Sequence, residues 1–230
     1  MSGFRLKVIA GAAMAFSHFG CLFWDLLSPA AVDFFYFIGR ISFPVFAYLI
    51  TEGWRYTKSK SQYMLRLFCF AVLSQVPYLL VVNRGKLFPF ELNVLFSFFL
   101  GTCALWLEDC ALKAEKTGRR WGLFCLSLTP VFLSFFLPMD YGWKGVLCVA
   151  LMGLMKEKNK KLGILLGCVA LIYLQPFSVY YGFAFLSALP ALLLLYFYNG
   201  LRGRTQGKYL FYLFYPGHLA VLYCIYLAVC

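Results

Sequence analysis

The sequence predicts an all-α, polytopic transmembrane helical bundle of about nine spans with a cytoplasmic N-terminus. Three observations predict it. Of 230 residues, 63% are hydrophobic and 13% charged, against about 45–50% and about 25% in soluble domains. The apolar residues form runs of span length divided by short charged segments. The basic residues concentrate in alternate connections, as the positive-inside rule requires. At about 20 residues per span plus a connection, the length is used up by the bundle, so residues 1–230 read as one transmembrane domain.

The same numbers exclude other classes. A chain this apolar does not stay solvated as a disordered one. The net charge of +12, from 21 Lys+Arg and 9 Asp+Glu, does not mark a nucleic-acid partner, because the cations are spread between long apolar runs. The nine cysteines form no C-x-x-C pair and sit mostly within apolar runs. They read as small buried apolar residues rather than a disulfide framework or a zinc site.

Hydropathy against charged punctuation places the spans in order. The first, 7–27, begins at Lys7 and carries His18; it is too long for the apolar core of a signal peptide and lacks a small-residue cleavage site. The second, 34–53, lies between Asp33 and Arg55, and the third, 63–82, between Lys60 and Arg84. The fourth, 92–107, follows Glu91, and the fifth, 121–137, follows Arg119 and Arg120. The sixth, 141–155, lies between Asp140 and Lys156, and the seventh, 162–177, follows Lys161. The eighth, 183–198, ends at Asn199, and the ninth, 209–229, follows Lys208. Gly163-x-x-x-Gly167 in the seventh fits close helix packing.

With the N-terminus inside, the cytoplasmic segments hold Arg5 and Lys7, then Arg55, Lys58, Lys60 and Arg66, then Lys113, Lys116, Arg119 and Arg120. They continue with Lys156, Lys158, Lys160 and Lys161, and end with Arg202, Arg204 and Lys208. The outer connections hold Arg84 and Lys86 beside Asp25, Asp33, Glu91 and Asp140. An error of one helix would break this alternation downstream.

Polar residues at hydrocarbon depth are the informative ones, because each is costly unless partnered. His18, Arg40, Lys144 and His218 qualify, with Glu52 at the cytoplasmic end of the second span. His18 follows Lys7 by eleven positions, about 16 Å along a helix and close to three full turns, so the two share a face. His218 follows Lys208 by ten positions and reaches about 15 Å. Arg40 lies about 10 Å below the outer interface, too deep for easy snorkelling. Each has a structural alternative. A membrane histidine also serves as a hydrogen-bonded packing residue, Arg40 would pair with an acid, Lys144 snorkels, and the Lys156–Lys161 run sets topology.

A neutral imidazole is a competent general base, and a nearby arginine stabilises the oxyanion that develops on an acyl carbonyl. A cationic cytoplasmic rim, drawn from Lys7, Arg55, Arg202, Arg204 and Lys208, suits a polyanionic thioester donor. Acyl transfer from a cytoplasmic acyl-CoA fits this set. Proton-coupled transport would use the same His and Arg, although no clear internal repeat is present; a non-catalytic assembly component leaves the polar residues without a use.

The run Leu6-Lys7-Val8-Ile9-Ala10 leading to Ser17-His18-Phe19-Gly20 resembles the opening helix of the TraX family. So does the segment Ile38-Gly39-Arg40-Ile41-Ser42-Phe43-Pro44 through Thr51-Glu52-Gly53, and so does Tyr212-Leu213-Phe214-Tyr215-Pro216-Gly217-His218-Leu219. Shorter matches are Ser74-Gln75-Val76-Pro77, Leu92-Asn93-Val94, Asp140-Tyr141-Gly142 and Tyr198-Asn199-Gly200. The resemblance runs from the first helix to the last. It implies a bacterial inner-membrane acetyltransferase that uses acetyl-CoA, with a peptide amine or a surface glycan as acceptor. It also implies similarity to the acyltransferase-3 group, whose first helix carries Arg, ten residues and then His; here Lys7 stands for the Arg. Ser17 departs from the Asp expected before the histidine. Read through the family, His18 is the base or acyl relay, Arg40 its oxyanion or carboxyl partner and His218 a second polar site residue. Asn199 and the basic residues after it become candidates for the CoA phosphates and adenine.

Overall fold

The computed structural model of the chain describes residues 1–174, 179–203 and 210–229. Its regular structure is helical; among the described residues one isolated bridge pairs Leu92 with Met139. The helices are α1 (Gly3–Leu22), α2 (Pro29–Gly39), α3 (Ser42–Tyr56), α4 (Lys60–Val82), α5 (Val94–Leu112) and α6 (Thr117–Ser127). They continue as α7 (Thr129–Leu133), α8 (Gly142–Leu154), α9 (Lys158–Tyr173), α10 (Val179–Tyr196) and α11 (Leu210–Val229). Among the described residues, four helical stretches are long and apolar enough to cross a membrane: Pro29–Tyr56, Lys60–Val82, Val94–Leu112 and Leu210–Val229. Two further apolar helices, Gly142–Leu154 and Ala184–Tyr196, are shorter.

Side-chain caps and prolines set the ends and breaks. Ser28 accepts from the Ala31 amide and Pro29 opens α2, where a missing N–H costs nothing. Asn93 caps α5 by accepting from the Leu95 amide at 3.1 Å, while its side-chain amide donates to the Ala71 carbonyl at 2.8 Å. The expected second span is interrupted at Arg40–Ile41, between α2 and α3. Pro44 lies four residues on: it has no N–H for the Arg40 carbonyl and its ring crowds that carbonyl. The expected fifth span, 121–137, is likewise two pieces, α6 and the single-turn α7. Pro130 withholds the N–H that would reach Leu126, and the Thr129 hydroxyl donates to the Leu126 carbonyl instead, at 2.8 Å.

The chain divides into two compact units. One comprises Met1–Phe46, Val72–Phe90 and Tyr173–Cys230; the other comprises Ala47–Ala71 and Glu91–Ile172. In the first unit, α1 packs antiparallel to α2, with Gly20 against Phe35 and Ser17 against Gly39. The same helix packs parallel to α11, where Phe4 meets Phe211 and Phe23 meets Tyr226. At the end of α4, Arg84 pairs with Asp25 at 2.8 Å and covers the Trp24 ring.

In the second unit, α5 and α8 run parallel at close range. A β-carbon on Gly101 would stand 2.6 Å from Val149, and one on Gly153 would strike Leu105. The close helix contacts of this unit therefore fall at Gly101 and Gly153, not at the expected Gly163 and Gly167, whose faces are open. The Ser97 hydroxyl donates to the Asp140 carbonyl at 2.7 Å, fastening α5 to the segment before α8.

Lys161 departs most from the sequence reading. It is not a solvated topology charge: its side chain is 3% exposed, donates to Glu52 at 2.7 Å and lies over the Tyr48 ring. Glu52 is 12% exposed. A buried ion pair compensates its own desolvation only while both members are present. Replacing Lys161 by Met should therefore cost about 3–5 kcal/mol of unfolding free energy in detergent, and adding Glu52→Gln should recover most of it. An unchanged unfolding midpoint in Lys161→Met would show that the pair contributes nothing.

Candidate active site

The first unit holds His18, Arg40 and His218, while Glu52 and Lys144 belong to the second. The N-terminus of α1 is fixed by the segment before α11. Ser2 caps the helix, the Gly3 amide donates to the Leu201 carbonyl at 2.8 Å, and the Phe4 amide donates to the Arg202 carbonyl at 3.0 Å. These bonds occupy N–H groups that a helix end leaves open. About one turn on, Lys7 lies over the Phe211 ring at 5.2 Å. His18 follows on the same face, about 16 Å along the axis.

Parallel packing carries that register along α11, and the two histidines meet. His18 Nδ1 and His218 Nε2 stand 2.9 Å apart, across 200 positions of sequence. The rings are 5.1 Å apart between centroids and inclined by 31°. His218 folds back along its own helix. Its Nδ1 donates to the Phe214 carbonyl at 2.7 Å, and its ring stacks on that of Phe214 at 4.8 Å and 13°. Tyr78 and Tyr215, both buried, present their rings at steep angles to His18. Both imidazoles are partly buried, and aromatic surface lines the pair on several sides.

Arg40 stands at the break between α2 and α3. Its Nη1 donates to Ser187 Oγ at 3.4 Å, and its guanidinium lies 6.0 Å from the centre of the Tyr173 ring. Ser187 is fully buried and donates in turn to the Ala184 carbonyl at 2.7 Å. Arg40 thus meets a hydroxyl on α10. Gly39 and Ser17 form a point of close approach between α2 and α1, where an added β-carbon on Gly39 would overlap that of Ser17. His18 and Arg40 each follow that point by one residue.

The rim residues separate into groups. Lys7 and Arg202 lie in this unit at the N-terminal end of α1. Asn199 is exposed there, and its Oδ1 accepts from the Leu201 amide at 3.1 Å, shaping the turn at Gly200. Arg204 and Lys208 lie outside the described residues. Arg55 belongs to the other unit, where it donates to the Lys156 carbonyl at 3.2 Å and covers the Tyr56 ring. Lys144 is partly buried at the start of α8.

Two site residues escaped the sequence reading. Ser187 is one; its signal was a lone hydroxyl within the apolar run before Pro190. The Phe214 carbonyl is the other, and only the rotamer of His218 reveals it.

A family model described as TraX protein matches residues 2–226. The chain is also similar to a protein of Dichelobacter nodosus described as "Probable fimbrial assembly protein FimC, serogroup H1". The two are 30% identical over 243 aligned positions, covering 96% of this chain and 94% of that protein. No solved structure matches the chain.

The Ser17–Gly39 approach yields a direct test of the site's scaffold. A methyl group at position 39 overlaps Ser17, so Gly39→Ala should force α1 from α2 and cost about 1–3 kcal/mol. Ser17→Gly in the same chain should restore the space and most of the stability, read as the unfolding midpoint in detergent. Failure of the second change to compensate would place the strain elsewhere.

Proposed function

The chain belongs to the TraX family, and we propose that it is a multi-pass acetyltransferase of the bacterial cytoplasmic membrane. It moves an acetyl group from cytoplasmic acetyl-CoA to an amine or hydroxyl acceptor. The observation that carries the reading is the His18–His218 contact, which joins two titratable rings from the first and last helices inside an aromatic surround. A packing histidine needs one partner; a base also needs to be held in one orientation.

In the proposed reaction the His18 imidazole takes the proton of the acceptor. The acceptor nitrogen or oxygen bonds to the thioester carbonyl carbon, the C–S bond breaks, and the departing CoA sulfur receives the proton from His18. Arg40 is the cation closest in sequence to the α1–α2 contact and is the group proposed to stabilise the oxyanion. The donor's phosphates would sit at the other end of α1, by Lys7 and Arg202 of this unit. The segments that make up this unit contain two acidic residues, Asp25 and Asp33. Asp25 is bound to Arg84. The end carrying Arg5, Lys7 and Arg202 thus offers an anion cations without local carboxylates to compete.

Helix directions within each unit fit the alternation of the proposed nine-span topology, and its N-inside sense rests on the basic residues of alternate connections. Spans one and nine run parallel, one and two antiparallel, and four and six parallel, the senses that strict alternation demands. The name of the Dichelobacter relative, a fimbrial assembly protein, favours a pilus subunit's peptide amine over a surface glycan as acceptor. It also supports a second reading, a non-catalytic role in assembly.

His18→Ala separates the two. Purified protein in detergent, given radiolabelled acetyl-CoA and an acceptor peptide, should lose transfer by about 10²–10⁴-fold in this variant while remaining folded and membrane-inserted. Equal transfer by the variant, or none by the parent protein with any acceptor, would defeat the enzymatic reading.

A further inference from the structure

The two histidine contacts together fix where the ring protons are. The Phe214 carbonyl has lone pairs and no proton to give, so the 2.7 Å contact requires an N–H at His218 Nδ1. The 2.9 Å contact between His18 Nδ1 and His218 Nε2 requires one proton between the two nitrogens. A neutral imidazole carries a single N–H. With that proton on Nδ1, His218 presents a bare Nε2 and accepts, and the proton belongs to His18 Nδ1. The opposite polarity would make His218 an imidazolium. Neither acidic side chain of this unit balances such a charge: Asp25 is engaged by Arg84, and Asp33 is exposed on α2. An unpaired charge in an apolar surround is costly, and the neutral arrangement avoids it.

We infer that His218 is a positioning residue: the chain from His18 Nδ1–H to His218 Nε2, and from His218 Nδ1–H to the Phe214 carbonyl, locks both rings in the Nδ1–H tautomer and leaves His18 Nε2 as the basic nitrogen. The inference rests on the acyl-transfer reading only for what that nitrogen does. The tautomers follow from the contacts themselves. The chain has a chemical use. When His18 Nε2 accepts a proton, the positive charge is shared with a ring whose dipole points along the same line towards a carbonyl. A neutral imidazole and a backbone oxygen thereby orient the base, the task for which other sites use a carboxylate.

The chain contains two histidines, so protein labelled with ¹⁵N-histidine displays four ring nitrogens. At neutral pH, without any acetyl donor, both Nδ1 atoms should give protonated-type signals and both Nε2 atoms bare-type signals. A coupling across the hydrogen bond should link His18 Nδ1 to His218 Nε2. In His218→Gln the side-chain carbonyl replaces the accepting nitrogen, and His18 should keep its Nδ1 proton. In His218→Leu the acceptor is gone, and His18 should shift towards the Nε2–H form. Where acetyl transfer is measurable, His218→Leu should lower kcat roughly 10–100-fold with KM for acetyl-CoA unchanged, and His218→Gln should restore most of it. A proton found on His18 Nε2 in the parent protein, or a Gln variant indistinguishable from Leu in its His18 signals, would overturn the assignment. Failure of acetyl transfer alone would overturn the enzymatic reading and leave the tautomers as measured.

Discussion

An apolar surround offers no hydrogen bonds, so every polar group carried into it must be met by another part of the same chain. That constraint organises what is distinctive here. His18 is met by His218, Arg40 by Ser187, and Lys161 by Glu52. The break at Pro130 obeys it as well. The Leu126 carbonyl, deprived of an amide by Pro130, takes the Thr129 hydroxyl. These partnerships differ in kind. Lys161 and Glu52 neutralise one another and are spent on structure. The histidine pair is neutral as a unit and keeps a proton-accepting position, which is the property a reactive site needs.

Charge is divided as unevenly as polarity. Of the nine acidic residues, the segments forming the first unit hold two, and the second unit holds the rest. The second unit uses them locally: Glu52 on Lys161, Asp109 on the Trp54 indole and on Lys60, Glu157 on Lys160. The first unit has cations at the start of α1 without such partners in its own sequence. An uncompensated basic end is unfavourable for stability alone, and it is the form a binding region for phosphates takes.

Much of this was legible in the sequence, and the limits have physical causes. Depth along a helix is a linear function of residue number, so the matching positions of His18 and His218 followed from axial rise. Their contact did not, because sequence spacing gives the face of one helix and says nothing about which face a distant helix turns towards it. The Pro44 and Pro130 breaks were visible as prolines, but hydropathy averages over them, and two short helices read as one span. Lys161 was misread for the opposite reason. In a run of lysines each looks solvated, and only packing against Tyr48 and Glu52 distinguishes the fourth from the others. Gly163 and Gly167 had the right spacing and the wrong surroundings, while Gly101 and Gly153, on two different helices, formed no motif at all.

The contact between α1 and α11 also has a place in time. The two histidines are separated by 200 positions, and synthesis proceeds at about 5–20 residues per second. His18 is therefore made roughly 10–40 s before its partner, and throughout that interval the first helix carries an unmatched imidazole. The growing chain is an inserted but chemically unfinished protein, and the arrival of α11 completes the site and closes the first unit in one event.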